Sequence, residues 1–302
     1  MKALFKSVNL IGDALNISPA LRAWIKQQPD IVEVYVQTLN DHVAPLYKGM
    51  VRDFLENYDE DRPRKLKTFC TVYDRPSGEW DVDHTFDVNA AFKLSDQKRQ
   101  HLATSYADLL GVKIGDTKFD LKPIYIPDYT HSGEIPLSTI PEGLILVSMF
   151  SASCTSRDPK IGVPNKMLPW EKWKPILKYI RERFPTTPIR FLGASTDMVP
   201  NGYAMGLVEA GEYMLGIPLN RLALIMQKAK LLVTIDNGMA HLAATQETPT
   251  FEMYPMCLAP YYILPVGNPN LYWVQMDPMK VVSEYLLKHL EYAVHNKLRV
   301  RK

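Results

Sequence analysis

Two short acidic segments each follow a hydrophobic run that is typical of a buried parallel strand. Asn9-Leu10-Ile11-Gly12-Asp13 follows the run 3–8, and Asp236-Asn237-Gly238 follows Leu231–Ile235. Ligands of doubly wound sheets bind beyond the carboxyl ends of the strands, so both segments are candidates for chemistry. Gly12 permits a ligand to approach the backbone closely, and Asp13 is a carboxylate that can accept a proton. A turn or helix-capping aspartate is the structural alternative for Asp13.

The second segment predicts a phosphate site at the start of a helix. Backbone N–H groups and the helix dipole favour phosphate oxygens at such a position, and Gly238 leaves room for them. His241, one turn further along, can donate a hydrogen bond to a phosphate or to a sugar. An N-cap at Asp236 and a core-facing His241 are the structural alternative.

Basic and polar residues follow two further predicted strands of the second half. Lys160 and Lys166 lie between the strand 144–150 and the helix that begins at Trp170, where a cation would stabilise a departing diphosphate. Gly193 and Asp197 follow the next strand and are candidates for holding a ribose hydroxyl. A solvated basic loop and a helix cap are the respective alternatives.

The composition narrows the class of protein. The chain has 302 residues, 46% hydrophobic and 23% charged, which suits two soluble domains of about 150 residues each. No apolar run approaches the roughly 20 residues of a transmembrane helix, so a cytoplasmic protein is expected. Three scattered cysteines, and seven histidines without HxH or HExxH spacing, predict no metal site. Residues 141–302 carry 18 Lys and Arg against 13 Asp and Glu, a balance that suits a phosphorylated ligand.

Alternating strands and helices predict an α/β protein with two doubly wound parallel sheets. The first helix is expected to begin with Ser18 as its N-cap and Pro19 at its first position. A later helix is expected over Ser95–Leu110, capped by Ser95 and stopped by Gly111.

Proline punctuation sets the expected domain boundaries. Residues 112–143 contain four prolines and few long apolar runs, so we expect the first domain to cover 1–140. A second domain covers 141–277, and Pro278–Asn296 is a final amphipathic helix within 278–302.

Several segments, in this order, resemble glycosyltransferase family 9, the heptosyltransferases of lipopolysaccharide core synthesis and their relatives. The similarity runs from about Ala3 to Tyr254 and is weakest over 40–94. The segments that carry it are IGDALNISPALRAW, LLGVKIGDTKFDLKPIYI, NKMLPWEKWKPIL, LGASTD and, most specifically, DNGMAHLAATQETPT. The chain departs from the family pattern at Asn237, where the family usually has Ser or Thr.

The resemblance implies a GT-B fold, in which two Rossmann-like domains face a central cleft. It implies an acceptor on the N-terminal domain, a nucleotide-sugar on the C-terminal one, and a last helix that packs back on the first domain. It also implies an inverting, metal-independent transfer in which Asp13 is the general base. Lys166 or Lys160 and the N–H groups after Asp236 would stabilise the diphosphate. His241 would contact that phosphate or the sugar, and Asp197 would hold the nucleoside.

Other identities remain open at this stage. The acceptor is expected to be a saccharide such as lipopolysaccharide core, and the donor acts as co-substrate, with no cofactor. A hydroxymethylated base in phage DNA is an alternative acceptor. A nucleotide-sugar epimerase is an alternative enzyme, because such epimerases share the two-domain fold.

Overall fold

The computed structural model describes residues 2–6, 11–27, 33–38, 67–72, 83–114, 140–151, 166–193, 212–215, 217, 219–259, 263–265 and 267–300. The chain forms two compact units. One comprises Met1–Asp128 with Tyr261–Gly267, and the other comprises Tyr129–Pro260 with Asn268–Lys302. The sequence boundary at 140 falls next to a stretch, 115–139, that lies outside the described residues, so the exact domain limits stay a prediction.

The first unit contains a four-stranded parallel sheet in the order β3-β2-β1-β4. Its strands are β1 (Lys2–Lys6), β2 (Glu33–Thr38), β3 (Lys67–Val72) and β4 (His84–Asp87). Phe5 and Phe86 are neighbours on β1 and β4 and stack with their ring centroids 5.1 Å apart. Trp24 packs edge-on against both rings, which anchors the helix after β1 on the sheet.

That helix, α1, spans Ile11–Gln27 and therefore begins earlier than predicted. Ser18 and Pro19 lie inside it, so the expected N-cap at Ser18 was wrong. Proline has no N–H to donate to the carbonyl four residues before it, which here belongs to Leu15. The Ser18 hydroxyl donates to that carbonyl at 2.7 Å. This bond replaces the missing one, so the apolar periodicity carries the helix through the proline.

The predicted helix Ser95–Leu110 is in fact two helices, α2 (Asn89–Lys98) and α3 (Leu102–Leu109). Arg99, at φ 50°, ends α2 in the left-handed conformation, and Ser95 lies within that helix. The predicted stop is confirmed, since Gly111, at φ 66°, follows α3. A helix cap lies in the middle of the apolar pattern and divides the predicted helix in two. Apolar periodicity alone does not reveal such a cap.

His101 caps α3 and ties a distant segment to the first unit. Its Nδ1 accepts from the Ala103 N–H at 3.1 Å, so the proton lies on Nε2, which donates to the Leu264 carbonyl at 2.8 Å. Burial lowers the pKa of His101, and the bond to Leu264 opposes that shift. The neutral ring in this tautomer thus joins Leu264, which belongs to the first unit, to the start of α3.

The second unit contains a six-stranded parallel sheet in the order β10-β9-β8-β5-β6-β7. Its strands are β5 (Ile145–Ser148), β6 (Ile189–Gly193), β7 (Glu212–Leu215), β8 (Leu231–Ile235), β9 (Thr250–Pro255) and β10 (Leu271–Met276). The sequence did not predict β7 or β10. Together with the first sheet, this confirms the predicted α/β class with parallel sheets.

In the described part of the second unit, four helices accompany this sheet: α4 (Trp170–Arg183), α5 (Leu219–Lys228), α6 (Gly238–Thr245) and α7 (Ser283–Asn296). One face of the sheet meets α4 and α7 in a single apolar core. Trp173 and Ile180 of α4, and Leu286 and Leu290 of α7, are buried there. The last helix thus packs within the second unit, and its expected contact with the first domain stays a prediction. Among the described helices, none is both long and apolar enough to cross a membrane.

Candidate functional site

The junction between β8 and α6 holds a buried ion pair. Asp236 follows the carboxyl end of β8 and is 1% exposed. The Lys166 ammonium donates to Asp236 Oδ2, and Lys166 is 8% exposed. Lys166 precedes α4 in sequence, so the fold joins two residues that are 70 positions apart. Two of the predicted phosphate-site residues are therefore in direct contact.

Asn237 is the N-cap of α6 and connects it to β5. Its Oδ1 accepts from the N–H groups of Met239 and Ala240, at 2.9 and 3.4 Å. Its Nδ2 donates to Ser148 Oγ at 3.0 Å and to the Phe150 carbonyl at 2.9 Å. Both amide hydrogens and both lone pairs of the carboxamide are thus used within the fold.

The structure corrects two expectations about the start of α6. The capping residue is Asn237, whereas the structural alternative had placed the cap at Asp236. The Met239 and Ala240 amides, which were expected to donate to phosphate, donate to Asn237 Oδ1. The Gly238 amide is not among those that Asn237 binds. The helix dipole and the Lys166 ammonium remain as favourable partners of an anion here.

His241 lies in α6, three residues after Gly238, and is 4% exposed. A buried imidazole on the helix that packs on β8 and β9 fits the core-facing alternative. His241 is also close in sequence to Asp236, which is compatible with its predicted contact with phosphate or sugar. That contact stays a prediction.

Glu252 is a third ionisable residue of this site, and sequence reasoning missed it. It lies in the middle of β9 with no exposed surface, and among the described residues neither of its carboxyl oxygens has a hydrogen-bond partner. Burial raises the pKa of Glu252 well above its usual range, and the Asp236 carboxylate raises it further, while Lys166 opposes the shift. Glu252 is thus coupled electrostatically to both members of the ion pair.

A polar row across three strands leads to Glu252. Ser148 on β5, Thr234 on β8 and Glu252 on β9 are successive neighbours in the register of the sheet. Phe251 and Met253, on either side of Glu252, belong to the core that faces α4 and α7. The row therefore faces the opposite side of the sheet, where α6 packs. A single glutamate within the apolar strand TFEMYP was the available signal, because strands buried on both faces rarely carry a charge.

The remaining predicted residues fall into two groups. Gly193 ends β6, while Gly12 and Asp13 lie in the first turn of α1. Asn9, Lys160 and Asp197 lie outside the described residues. Within the described part of the chain, no group of three His, Cys, Asp or Glu residues could hold a metal ion.

Comparison with known proteins locates a family signature on this site. Residues 164–258 match the model of glycosyltransferase family 9 (heptosyltransferase). The matched stretch contains Lys166, Asp236 and Glu252. The predicted resemblance to this family is thereby confirmed, and the match supports a heptosyltransferase-like glycosyltransferase. No curated protein sequence matches the chain.

Solved structures share the fold over nearly the whole chain. A family 9 glycosyl transferase from Veillonella parvula is 15% identical, with a TM-score of 0.64 and 97% of each chain covered. The E. coli heptosyltransferase WaaC with ADP is 15% identical, with a TM-score of 0.61 and coverages of 97% and 100%. The same enzyme with ADP-2-deoxy-2-fluoro heptose is 15% identical, with a TM-score of 0.60 and coverages of 96% of this chain and 99% of that chain. These neighbours are GT-B glycosyltransferases, which confirms the predicted fold class.

Proposed function

We propose that this protein transfers a sugar, with inversion, from a nucleotide-sugar to the hydroxyl of a saccharide acceptor. The observation that carries the proposal is the Lys166–Asp236 pair at the carboxyl end of β8, inside the stretch that matches the glycosyltransferase family. Nucleotide-sugars present a diphosphate, and the carboxyl ends of parallel strands are where such ligands bind.

Lys166 is the group that would hold the diphosphate. An ammonium has three donors, and the bond to Asp236 uses one of them. The other two can reach diphosphate oxygens while Asp236 fixes the position of Nζ. The start of α6 adds the positive end of its dipole and the Gly238 amide. Lys160 and His241 would add contacts to the phosphates, and Gly193 and Asp197 would hold the nucleoside.

The chemical step is a single displacement at the anomeric carbon. Asp13 takes the proton of the acceptor hydroxyl as the new carbon–oxygen bond forms. The bond from the anomeric carbon to the diphosphate breaks, and its electron pair leaves with the nucleoside diphosphate. Lys166 stabilises the charge that develops on the leaving group, so the proposed reaction needs no metal ion. Addition of EDTA should leave the rate unchanged, and a loss that Mg²⁺ or Mn²⁺ restores would contradict this part.

The first donors to test follow from the structural neighbours. Two of them were solved with ADP or an ADP-sugar analogue, so ADP-heptose heads the panel, followed by ADP-glucose, UDP-glucose and GDP-mannose. Thermal shift identifies the donor that stabilises the protein. Mass spectrometry then detects a mass increase of one sugar on lipopolysaccharide core fragments. No stabilisation by any nucleotide-sugar or nucleoside diphosphate would overturn the proposal.

The same experiment separates the alternatives. Sugar addition to hydroxymethylated duplex DNA, with binding that weakens steeply with salt, would identify a DNA glycosyltransferase. Conversion of the donor to its epimer without any acceptor would identify an epimerase. Either result would replace the saccharide acceptor and keep the donor site.

A further inference from the structure

Glu252 is a buried titratable residue to which the proposed transfer gives no role. It is fully buried, and both of its carboxyl oxygens lack a hydrogen-bond partner within the part of the chain that the structure describes. An ionised carboxylate in that state would be strongly unfavourable, because desolvation would not be offset by donors. The charges that act on Glu252 are those of Asp236 and Lys166, which neutralise each other.

The charge of the cluster formed by Lys166, Asp236 and Glu252 depends on one proton. With Glu252 protonated, the ammonium and the Asp236 carboxylate give a net charge of zero. With Glu252 ionised, the cluster carries a net charge of −1. A buried negative charge beside a doubly negative diphosphate would repel it, since Coulomb interactions are screened little inside a protein.

We propose that Glu252 is a positioning residue that stays protonated, keeps the Lys166–Asp236 pair electrically neutral and thereby makes diphosphate binding depend on one proton. The inference rests on the proposed function, because it concerns the same donor site. Glu252 does not need to touch the donor. It acts by leaving the Lys166 ammonium bound to one carboxylate instead of two, so that its remaining donors can serve the diphosphate.

Few other titratable groups face Glu252 from the described elements that pack against β9. On the β8 side these are Asp236 and, bonded to it, Lys166. Helix α6 contributes His241. The register neighbour on β10 is Trp273, which does not titrate. His241 is the competing source of pH dependence, because its protonation would also favour an anion at low pH.

The first test measures stability and needs no ligand. Because the pKa of folded Glu252 is raised, its contribution is fully present below the ordinary glutamate pKa of about 4.3 and is lost as the pH rises towards the raised value. Glu252→Gln removes this titration and keeps the shape. We expect the melting temperature of Glu252→Gln, relative to wild type, to increase steadily with pH. Glu284→Gln, at an exposed position of α7, should follow the wild type. A difference in melting temperature between Glu252→Gln and wild type that stays constant with pH would overturn the inference.

The second test measures donor binding by calorimetry between about pH 6 and about pH 9. The probe is the nucleotide-sugar that stabilises the wild type, because an esterified diphosphate does not titrate in this range. Wild-type affinity should fall about tenfold or more as Glu252 ionises, whereas Glu252→Gln should keep its low-pH affinity within about twofold. Glu252→Met, an apolar side chain of similar length, should behave like Glu252→Gln and serves if the amide variant folds poorly.

The outcomes distinguish the two proposals. A pH profile that is unchanged in both variants would assign the dependence to His241 or another group and overturn the role of Glu252, with the transferase intact. A wild-type profile that is flat would do the same. An absence of nucleotide-sugar binding by the wild type at every pH would overturn the proposed function and the linkage with it.

Discussion

The strand-to-helix junctions after β1 and after β8 each carry an aspartate, but they place it differently. After β8, Asp236 precedes the cap residue Asn237, is buried and is bound to Lys166. After β1, Asp13 is the third residue of α1 and so belongs to the first helical turn. Similar sequence patterns, an acidic residue within two positions of a glycine after a strand, therefore give one aspartate that is fixed in an ion pair and one that lies within a helix.

Because their positions differ in this way, the two aspartates suit different tasks. A carboxylate that is paired with a buried ammonium orients that cation and is poorly placed to accept a proton. A carboxylate in the first turn of a helix is stabilised by the helix dipole. The proposed transfer accordingly gives Asp236 a positioning role and Asp13 the role of general base, and substitutions at these sites separate the two roles.

Asp13→Asn should lower the transfer rate by about 10²–10⁴-fold, because a positioned base contributes about that much. Donor affinity should change by less than about twofold, a shift of under roughly 0.5 kcal/mol. Transfer is measured by mass spectrometry and binding by calorimetry. Asp96→Asn, at an exposed position of α2, is the matched control. Full transfer by Asp13→Asn would remove this residue from the role of base.

Lys166→Met should lower the free energy of unfolding by about 3–5 kcal/mol, because it leaves the Asp236 carboxylate buried without its partner. Asp236→Asn should cost less, since it removes the charge that opposes ionisation of Glu252, and an ionised Glu252 would then offset the Lys166 charge. Urea unfolding of both variants measures the difference. Lys172→Met, which removes bonds from α4 to the carbonyls of Pro278 and Met279, is the control. An equal or larger loss for Asp236→Asn would show that Glu252 does not compensate.

Asn237→Ala should lower the free energy of unfolding by about 0.5–2 kcal/mol, the usual contribution of an N-cap. It also removes the bonds to Ser148 and Phe150 that connect α6 to β5. Asn237→Ser keeps a capping oxygen and should recover part of the loss. Equal stability of the two variants would mean that the cap contributes nothing beyond the donated bonds.

Ser18→Ala gives the smallest expected effect, a loss of about 1 kcal/mol, which is typical of one hydrogen bond. The variant leaves the Leu15 carbonyl without a donor beside Pro19. The melting temperature should fall slightly, while transfer and donor affinity should stay unchanged. A change in transfer as large as that of Asp13→Asn would show that the path of α1 controls the position of the base.

Much of the fold could be predicted from the sequence, because buried parallel strands give continuous apolar runs. Leu231–Ile235 and the buried face of α4 are examples. The misplaced start of α1 and the undivided helix over α2 and α3 have a common cause. In both places a side-chain hydrogen bond, from Ser18 or to His101, overrides a local signal such as proline or apolar period.

The candidate site was predictable in part for a similar reason. Motif spacing indicated Asp236 and Lys166 as phosphate-site residues, but only the fold shows that they bind each other. Asn237 was recognised as a departure from the family pattern, yet the two bonds that its Nδ2 donates depend on Ser148 and Phe150, at and just beyond the end of a distant strand. Glu252 escaped notice because its environment is set by the register between β8 and β9.

Hydrogen–deuterium exchange with and without the stabilising nucleotide-sugar shows whether the β8–α6 junction holds the diphosphate. We expect slower exchange of backbone amides over 236–241, at the start of α6, and in the segment that begins at Lys166. Asp13→Asn should show the same protection, because it retains the donor site. Tight donor binding that protects neither segment, and slows exchange only elsewhere in the chain, would contradict the claim that the β8–α6 junction holds the diphosphate.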